Sequence, residues 1–379
     1  QEVDVFVKFR EEVYKRGGHF RETVYAFTEV EGEAYTLTRW LRARKFVYED
    51  VITMVEEATA CRDDPRKQKY YPDPEIALGV HPSVYINQYP QLYPCFAKNG
   101  CPVYISKPGS LDIDAVECIT SLEGILKFHW HIMQHDYTNR LLKHKEEYPK
   151  FERFENVSVL DLENLTASKL NKRTLEIIKK QTVIDSLCFP ETMNRMLIVN
   201  APYFFNVTWT IIKRWIDPRT TGKIEMFSNK SSMMKRMREL VDEDQLPSDY
   251  GGKAKSTDHL MNMELPREMV RLESKVLYVK YKESYTLELM PGEEADVKIY
   301  TRGTKGAKFT IYDSDKNPLI QETEVIHHGS EDDEFEMPTN VQLTPIRIKG
   351  PKMLKIKAES DSRKVENFLL VCFVYPSTN

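Results

Sequence analysis

Apolar and polar residues follow three different periods along this chain, and each period predicts a different kind of element. In the segment 47–62 (VYEDVITMVEEATACR), Val47, Val51, Met54, Val55 and Ala58 recur at helical spacing. Asp63-Asp64-Pro65 then predicts the end of that helix. The Pro- and Tyr-rich stretch from Tyr70 to Pro94 reads as connecting structure rather than a long regular element. From Cys101 onward, apolar runs of strand length cover 102–106, 157–162, 196–200 and 223–227. They alternate with helical patterns near 114–148, 168–186 and 204–216. Near-continuous apolar strands separated by helices predict a mostly parallel sheet with buried faces. Beyond residue 275 the period becomes two: Tyr285/Leu287/Leu289, Val297/Ile299, Phe309/Ile311 and Leu354/Ile356. Turn signals at Pro291-Gly292 and Lys316-Asn317-Pro318 punctuate these runs, which predicts an antiparallel sandwich. The expected fold is an N-terminal helical subdomain over 1–72, an α/β domain over 73–255 and an all-β sandwich over 275–377.

Composition narrows the class of partner. With 379 residues the chain has room for two or three domains, and a core this large needs no disulfide or metal staple. A net charge of -4 argues against a global polyanion partner such as nucleic acid. No run approaches the ~20 apolar residues that a spanning helix needs, so membrane contact is expected to be peripheral. The first residues, QEVDVFVKFR, lack the apolar centre of a signal peptide, and the absence of an initial Met suggests a missing upstream segment. Six cysteines (61, 95, 101, 118, 188, 372) without a CxxC pair suggest a reducing compartment, in which each thiol packs as a small hydrophobe. The Asn-X-Ser/Thr triplets at 156, 164, 206 and 229 then read as chance matches in a cytosolic protein.

Some patterns bear on catalysis. His129 to His135 (HWHIMQH) puts imidazoles at i and i+4, a metal-ligand spacing, but with no HExxH glutamate and no third ligand nearby. The run GTKGAK at 303–308 lacks the spacing and the Lys-Ser/Thr ending of a phosphate loop. No GxSxG elbow occurs. The acidic stretch EDDEFE at 331–336 reads as a solvated loop. The expectation is a non-enzymatic protein without metal or cofactor.

In Phe204–Ile216 the apolar residues Phe204, Phe205, Val207, Trp209, Ile211, Ile212, Trp215 and Ile216 cover more than one helical stripe. Such a helix is either core, or a cover that alternates between a cavity and lipid. Three further segments set the context. They are LTRWLRARKF at 37–46, VLDLENLTASKL at 159–170 and the run from FPE (189–191) to DPRTTGK (217–223), followed by LPSDYGG at 246–252. In order and spacing they resemble the CRAL-TRIO family, which includes phosphatidylinositol/phosphatidylcholine transfer proteins. The resemblance runs from about 35 to 252.

The resemblance implies one phospholipid in an apolar cavity, with 204–216 as the gate helix. It implies phosphatidylinositol headgroup contacts from Arg44, Lys45, Glu191, Asp217, Thr220 and Lys223. Chemistry agrees, since a phosphodiester needs cationic donors and inositol hydroxyls need a carboxylate acceptor. The resemblance also points to a second headgroup site, for phosphatidylcholine, near Ser158 and Asn156; Tyr93 and Tyr104 read either as buried structural tyrosines or as aromatic faces for a quaternary ammonium. Asn156 stands where the family has a hydroxyl residue. The C-terminal strands, on EADVKIY at 294–300 among others, resemble a GOLD domain, which implies a protein partner and transient contact with Golgi or other membranes. Two alternatives stay open: a carrier of an apolar metabolite such as a tocopherol, retinoid or squalene, and a lipid-sensing scaffold.

Overall fold

The computed structural model describes residues 1–216, 218–263, 265, 269–301, 307–325, 347–361 and 363–377. Residues 331–336 and 303–306, singled out above, lie outside the described residues, as does Asp217. The chain forms two compact units: one comprises 1–73, 91–110 and 126–257, the other 74–90, 111–125 and 258–379.

The first unit opens with helices Glu2–Arg16, Gly18–Val24, Thr28–Ala43 and Tyr48–Cys61. Their apolar stripes, including Phe9, Val24, Leu37, Trp40, Val51 and Val55, form a core with residues of helices Tyr137–Glu147 and Lys172–Cys188. Helix Tyr48–Cys61 ends where the sequence predicts, but Asp63–Lys67 forms a short helix of its own. Pro65 fits there because a first-turn residue needs no N–H partner.

Five strands follow in the order β1 (Gln91–Phe96), β2 (Pro102–Ser106), β3 (Asn156–Asp161), β4 (Met193–Val199) and β5 (Ile224–Met226). The pairs β2–β3, β3–β4 and β4–β5 are parallel, and β1 is an antiparallel edge. This corrects the expectation for Tyr70–Pro94, which holds helices Pro74–Leu78 and Pro82–Gln88 and most of β1. Its prolines hid the strand. Pro94 is tolerated because β1 lies at the sheet edge and its register shifts between Leu92 and Cys95.

The second unit holds two four-stranded sheets built from β6 (Arg271–Val279), β7 (Lys282–Leu289), β8 (Glu293–Thr301), β9 (Ala307–Tyr312), β10 (Pro318–Val325), β11 (Arg347–Lys349), β12 (Lys352–Ser360) and β13 (Glu366–Pro376). The orders are β10-β9-β12-β7 and β11-β8-β13-β6, and every pairing is antiparallel. Leu287, Leu289, Val297, Ile299, Phe309, Ile311, Leu354 and Ile356 fill one core, with Tyr285 packed against it, as their alternation predicts. β13 is buried on both faces, because helix Ile113–Ile119 packs against it and β8. Among the described residues, no helix is long and apolar enough to cross a membrane.

Candidate functional site

The two faces of the five-stranded sheet are packed differently. Val103, Ile105, Val157, Val159 and Leu197 alternate onto one face and are 0–1% exposed. On the other face, register sets Tyr104 beside Ser158, Ser158 beside Met196, Leu160 beside Ile198, and Met196 and Ile198 beside Ile224 and Met226. There Ser158 and Ile198 are buried, but Tyr104, Leu160, Met196, Ile224 and Met226 stay only half-buried, although most are apolar.

Helix Phe205–Ile212 and a 3-10 turn at Lys213–Trp215 cover this looser face. Phe205 and Ile212 are buried against Ile198 and Leu162, and Trp209 and Ile216 pack beside them. The opposite side of the helix is apolar too: Phe204 (37% exposed), Val207 (72%) and Ile211 (44%) form a stripe that Tyr203 (92%) extends. Lys213 and Arg214 are exposed at its C-terminal end. The Trp215 side chain lies outside the described residues.

Two motifs far apart in sequence meet beside this helix. Helix Thr28–Ala43 ends at Arg44, and Lys45 and Phe46 turn the chain with φ of 52° and 60°. Arg219, from the short helix Pro218–Thr221, donates to the carbonyls of Arg42 and Ala43 (Nη2–O 2.9 Å to Ala43), which ties RARKF to DPRTTGK. Arg44 is half-buried with Nη1 on the Ala43 carbonyl, and Lys45 is exposed. Thr220 is half-buried, and its carbonyl accepts from the Lys223 N–H at 3.0 Å. The Lys223 ammonium donates to Glu191 Oε2 at 3.1 Å and to the Met193 carbonyl at 3.0 Å. Both partners keep solvent contact, at 31% and 22% exposure. Glu191 itself has φ 59°, a left-handed conformation that a side chain adopts only when its surroundings hold it there.

The four residues expected at a second headgroup site lie on β1, β2 and β3. Ser158 Oγ donates to Asn156 Oδ1 at 2.8 Å, and Tyr104 Oη donates to Gln91 Oε1 at 2.7 Å. The Tyr93 ring is 5.0 Å from Tyr104, and the Arg140 guanidinium sits 4.9 Å from the Tyr93 centroid. Burial pushes the Tyr93 phenol well up, so it stays neutral. The Asn156 N–H donates to the Thr192 carbonyl, which places this group next to the Glu191 turn.

Three of the motifs converge on Asp161. Its carboxylate accepts from Tyr250 Oη at 2.6 Å, from Asn200 Nδ2 at 2.8 Å and from the Glu163 N–H at 2.9 Å. Gly252 closes the same region: a Cβ there would stand 1.9 Å from the Leu246 carbonyl oxygen. Sequence reasoning overlooked the buried Arg39, the third residue of LTRWLRARKF. Its signal was a cation set among residues that otherwise make an apolar helical face, with Leu37, Trp40 and Leu41 buried around it.

A CRAL/TRIO domain model matches residues 87–252. "Phosphatidylinositol/phosphatidylcholine transfer protein SFH9" of Arabidopsis thaliana is 27% identical over 227 residues, 58% of this chain and 37% of that protein. Its relative SFH4 is 30% identical over 177 residues, 46% of this chain and 28% of that protein. "SEC14 cytosolic factor" of Candida glabrata is 29% identical over 223 residues, 58% of this chain and 70% of that protein. The chain thus spans roughly a third of the length of the Arabidopsis proteins it matches. A crystal structure of Sfh5 aligns with 68% of this chain and 90% of that one, at TM-score 0.47 and 16% identity.

Proposed function

We propose that this chain, whose residues 87–252 match a CRAL/TRIO domain model, binds one phosphatidylinositol molecule and transfers it between membranes. The observation that carries this reading is the half-buried apolar sheet face beneath helix Phe205–Ile212. An ordinary core would close such a face to the density of its partner face. Acyl chains supply the missing contacts, which makes the loaded state the better packed one.

The headgroup then lies at the rim, where Glu191 and Lys223 provide one acceptor and one cation. The carboxylate accepts inositol hydroxyls and the ammonium pairs with the phosphodiester, so the pair seen here opens to hold the lipid. Arg44, Lys45, Thr220 and Asp217 complete the headgroup contacts in this proposal. Tyr93, Tyr104, Asn156 and Ser158 are assigned to a choline headgroup. The outer stripe of Tyr203, Phe204, Val207 and Ile211 seats the protein on a bilayer while the helix moves aside. The matched relatives support this reading, since their names describe phosphatidylinositol/phosphatidylcholine transfer.

Lys223→Ala tests it. The side chain is about a third exposed, so its loss costs at most about 1 kcal/mol of stability. After incubation with a mixed lipid extract, mass spectrometry of the wild type is expected to find stoichiometric phosphatidylinositol, reduced at least about tenfold in Lys223→Ala. A tocopherol, retinoid or squalene in its place overturns the proposal in favour of an apolar-metabolite carrier.

A further inference from the structure

The turn that carries Glu191 is held from the side of the helical core, and the holding groups include two buried cations. Arg62 is 1% exposed and has no carboxylate partner among the described residues. It sits among the rings of Phe189, Trp130, Phe27 and Tyr70, at 5.0 to 5.7 Å. Its Nη2 donates to the Cys188 carbonyl at 2.9 Å and its Nη1 to Gln134 Oε1 at 3.2 Å, while Nε has no partner. Arg39, 6% exposed, pairs with Glu31 at 2.9 Å and donates through Nη1 to the Pro190 carbonyl at 3.0 Å. Between these two, the Phe189 carbonyl accepts from Thr192 Oγ1 at 2.9 Å.

Three successive carbonyls, 188 to 190, are therefore each fixed by a side chain, and the next residue is Glu191 at φ 59°. A cation at the end of helix Lys172–Cys188 is ordinary capping. Capping alone does not explain the second guanidinium, aimed beyond the helix at the residue before Glu191. Burying two guanidiniums is costly, and a hydrophobic replacement of similar volume often serves stability as well.

We propose that Arg39 and Arg62 are positioning residues for headgroup selection. They hold the 188–190 backbone so that the Glu191 carboxylate stays in reach of Lys223 and of an inositol ring. The inference rests on Glu191 and Lys223 being the headgroup site.

The test is a double-mutant cycle on phosphatidylinositol uptake by the full chain from phosphatidylcholine vesicles containing fluorescent phosphatidylinositol. Arg39→Lys keeps the charge opposite Glu31 but loses the planar fork that reaches Pro190. It is expected to weaken uptake about tenfold in the wild type and to change it little in the Lys223→Ala background. Arg62→Lys gives the same pattern, and it serves alone if Arg39→Lys does not fold. A general packing defect lowers uptake equally in both backgrounds, and that outcome overturns the inference, as does full uptake by both lysine variants. Full uptake by Lys223→Ala is a distinct result: it removes the headgroup reading and this inference with it.

Discussion

His129 and Asp185 join two helices of the first unit, with Nε2 2.6 Å from Oδ1. Burial disfavours the imidazolium, but the Asp185 charge and hydrogen bond outweigh it, so His129 lies above its ordinary 6.5. A raised value means that this pair's stabilisation is fully present below pH 6.5 and is lost as pH rises through the folded value. His131, raised by Asp136 against the effect of burial, has the same sign, whereas His144, lowered by burial, has the opposite one. The difference between wild type and His129→Gln isolates the pair. The wild-type advantage in melting temperature is expected to be full below pH 6.5 and to shrink as the pH rises above it. An advantage that does not change over that rise refutes the assignment. The sequence shows the spacing of these histidines but not their partners. His131 Nδ1 donates to the Tyr71 carbonyl at 2.7 Å and His135 Nε2 to that of Lys69 at 3.0 Å. Both carbonyls belong to a run of left-handed residues that has no sequence signature.

At the scale of an element, helix Phe205–Ile212 has two apolar sides that its composition merges. An apolar surface all round announced an unusual helix, yet only the packing separates Phe205 and Ile212 inside from Val207 and Ile211 outside. Val207→Asp changes the exposed side alone. It is expected to leave stability within about 0.5 kcal/mol and to reduce binding to phosphatidylinositol-containing liposomes in a sedimentation assay. Undiminished binding would move the docking surface elsewhere. The central strands were legible to within a few residues because buried parallel strands read as continuous apolar runs. β1 was not, since an edge strand tolerates the prolines and polar residues that mark a loop. The segment near 114–148 read as a helical pattern without internal boundaries. It breaks at Thr120 and passes through a π-turn at Ile132–Asp136, where a change in winding leaves the apolar period nearly intact.

For the whole molecule, chain order and compact units do not coincide. Segments 74–90 and 111–125 cluster with 258–379, so the chain passes from one unit to the other five times, after residues 73, 90, 110, 125 and 257. Sequence periodicity cannot reveal this, because it reports which face is buried and not what buries it. In helix Ile113–Ile119, Ile113, Val116, Cys118 and Ile119 are buried, and Cys118 Sγ donates to the Asn367 carbonyl at 3.4 Å. A chain ending at Thr257 would leave that apolar face uncovered. Such a chain is expected to aggregate on size-exclusion chromatography, and a monomeric peak with wild-type helix content would contradict this.

The unequal packing of the two sheet faces also has a mechanical consequence. The tightly packed face leaves little room for compression, whereas the half-buried residues under helix Phe205–Ile212 would gain contacts from acyl chains in the proposed loaded state. Hydrostatic pressure shifts a conformational balance toward states with less internal void. If the chain carries a lipid as proposed, it is expected to be more compressible without the lipid than with it, the cargo then acting as a removable part of the interior.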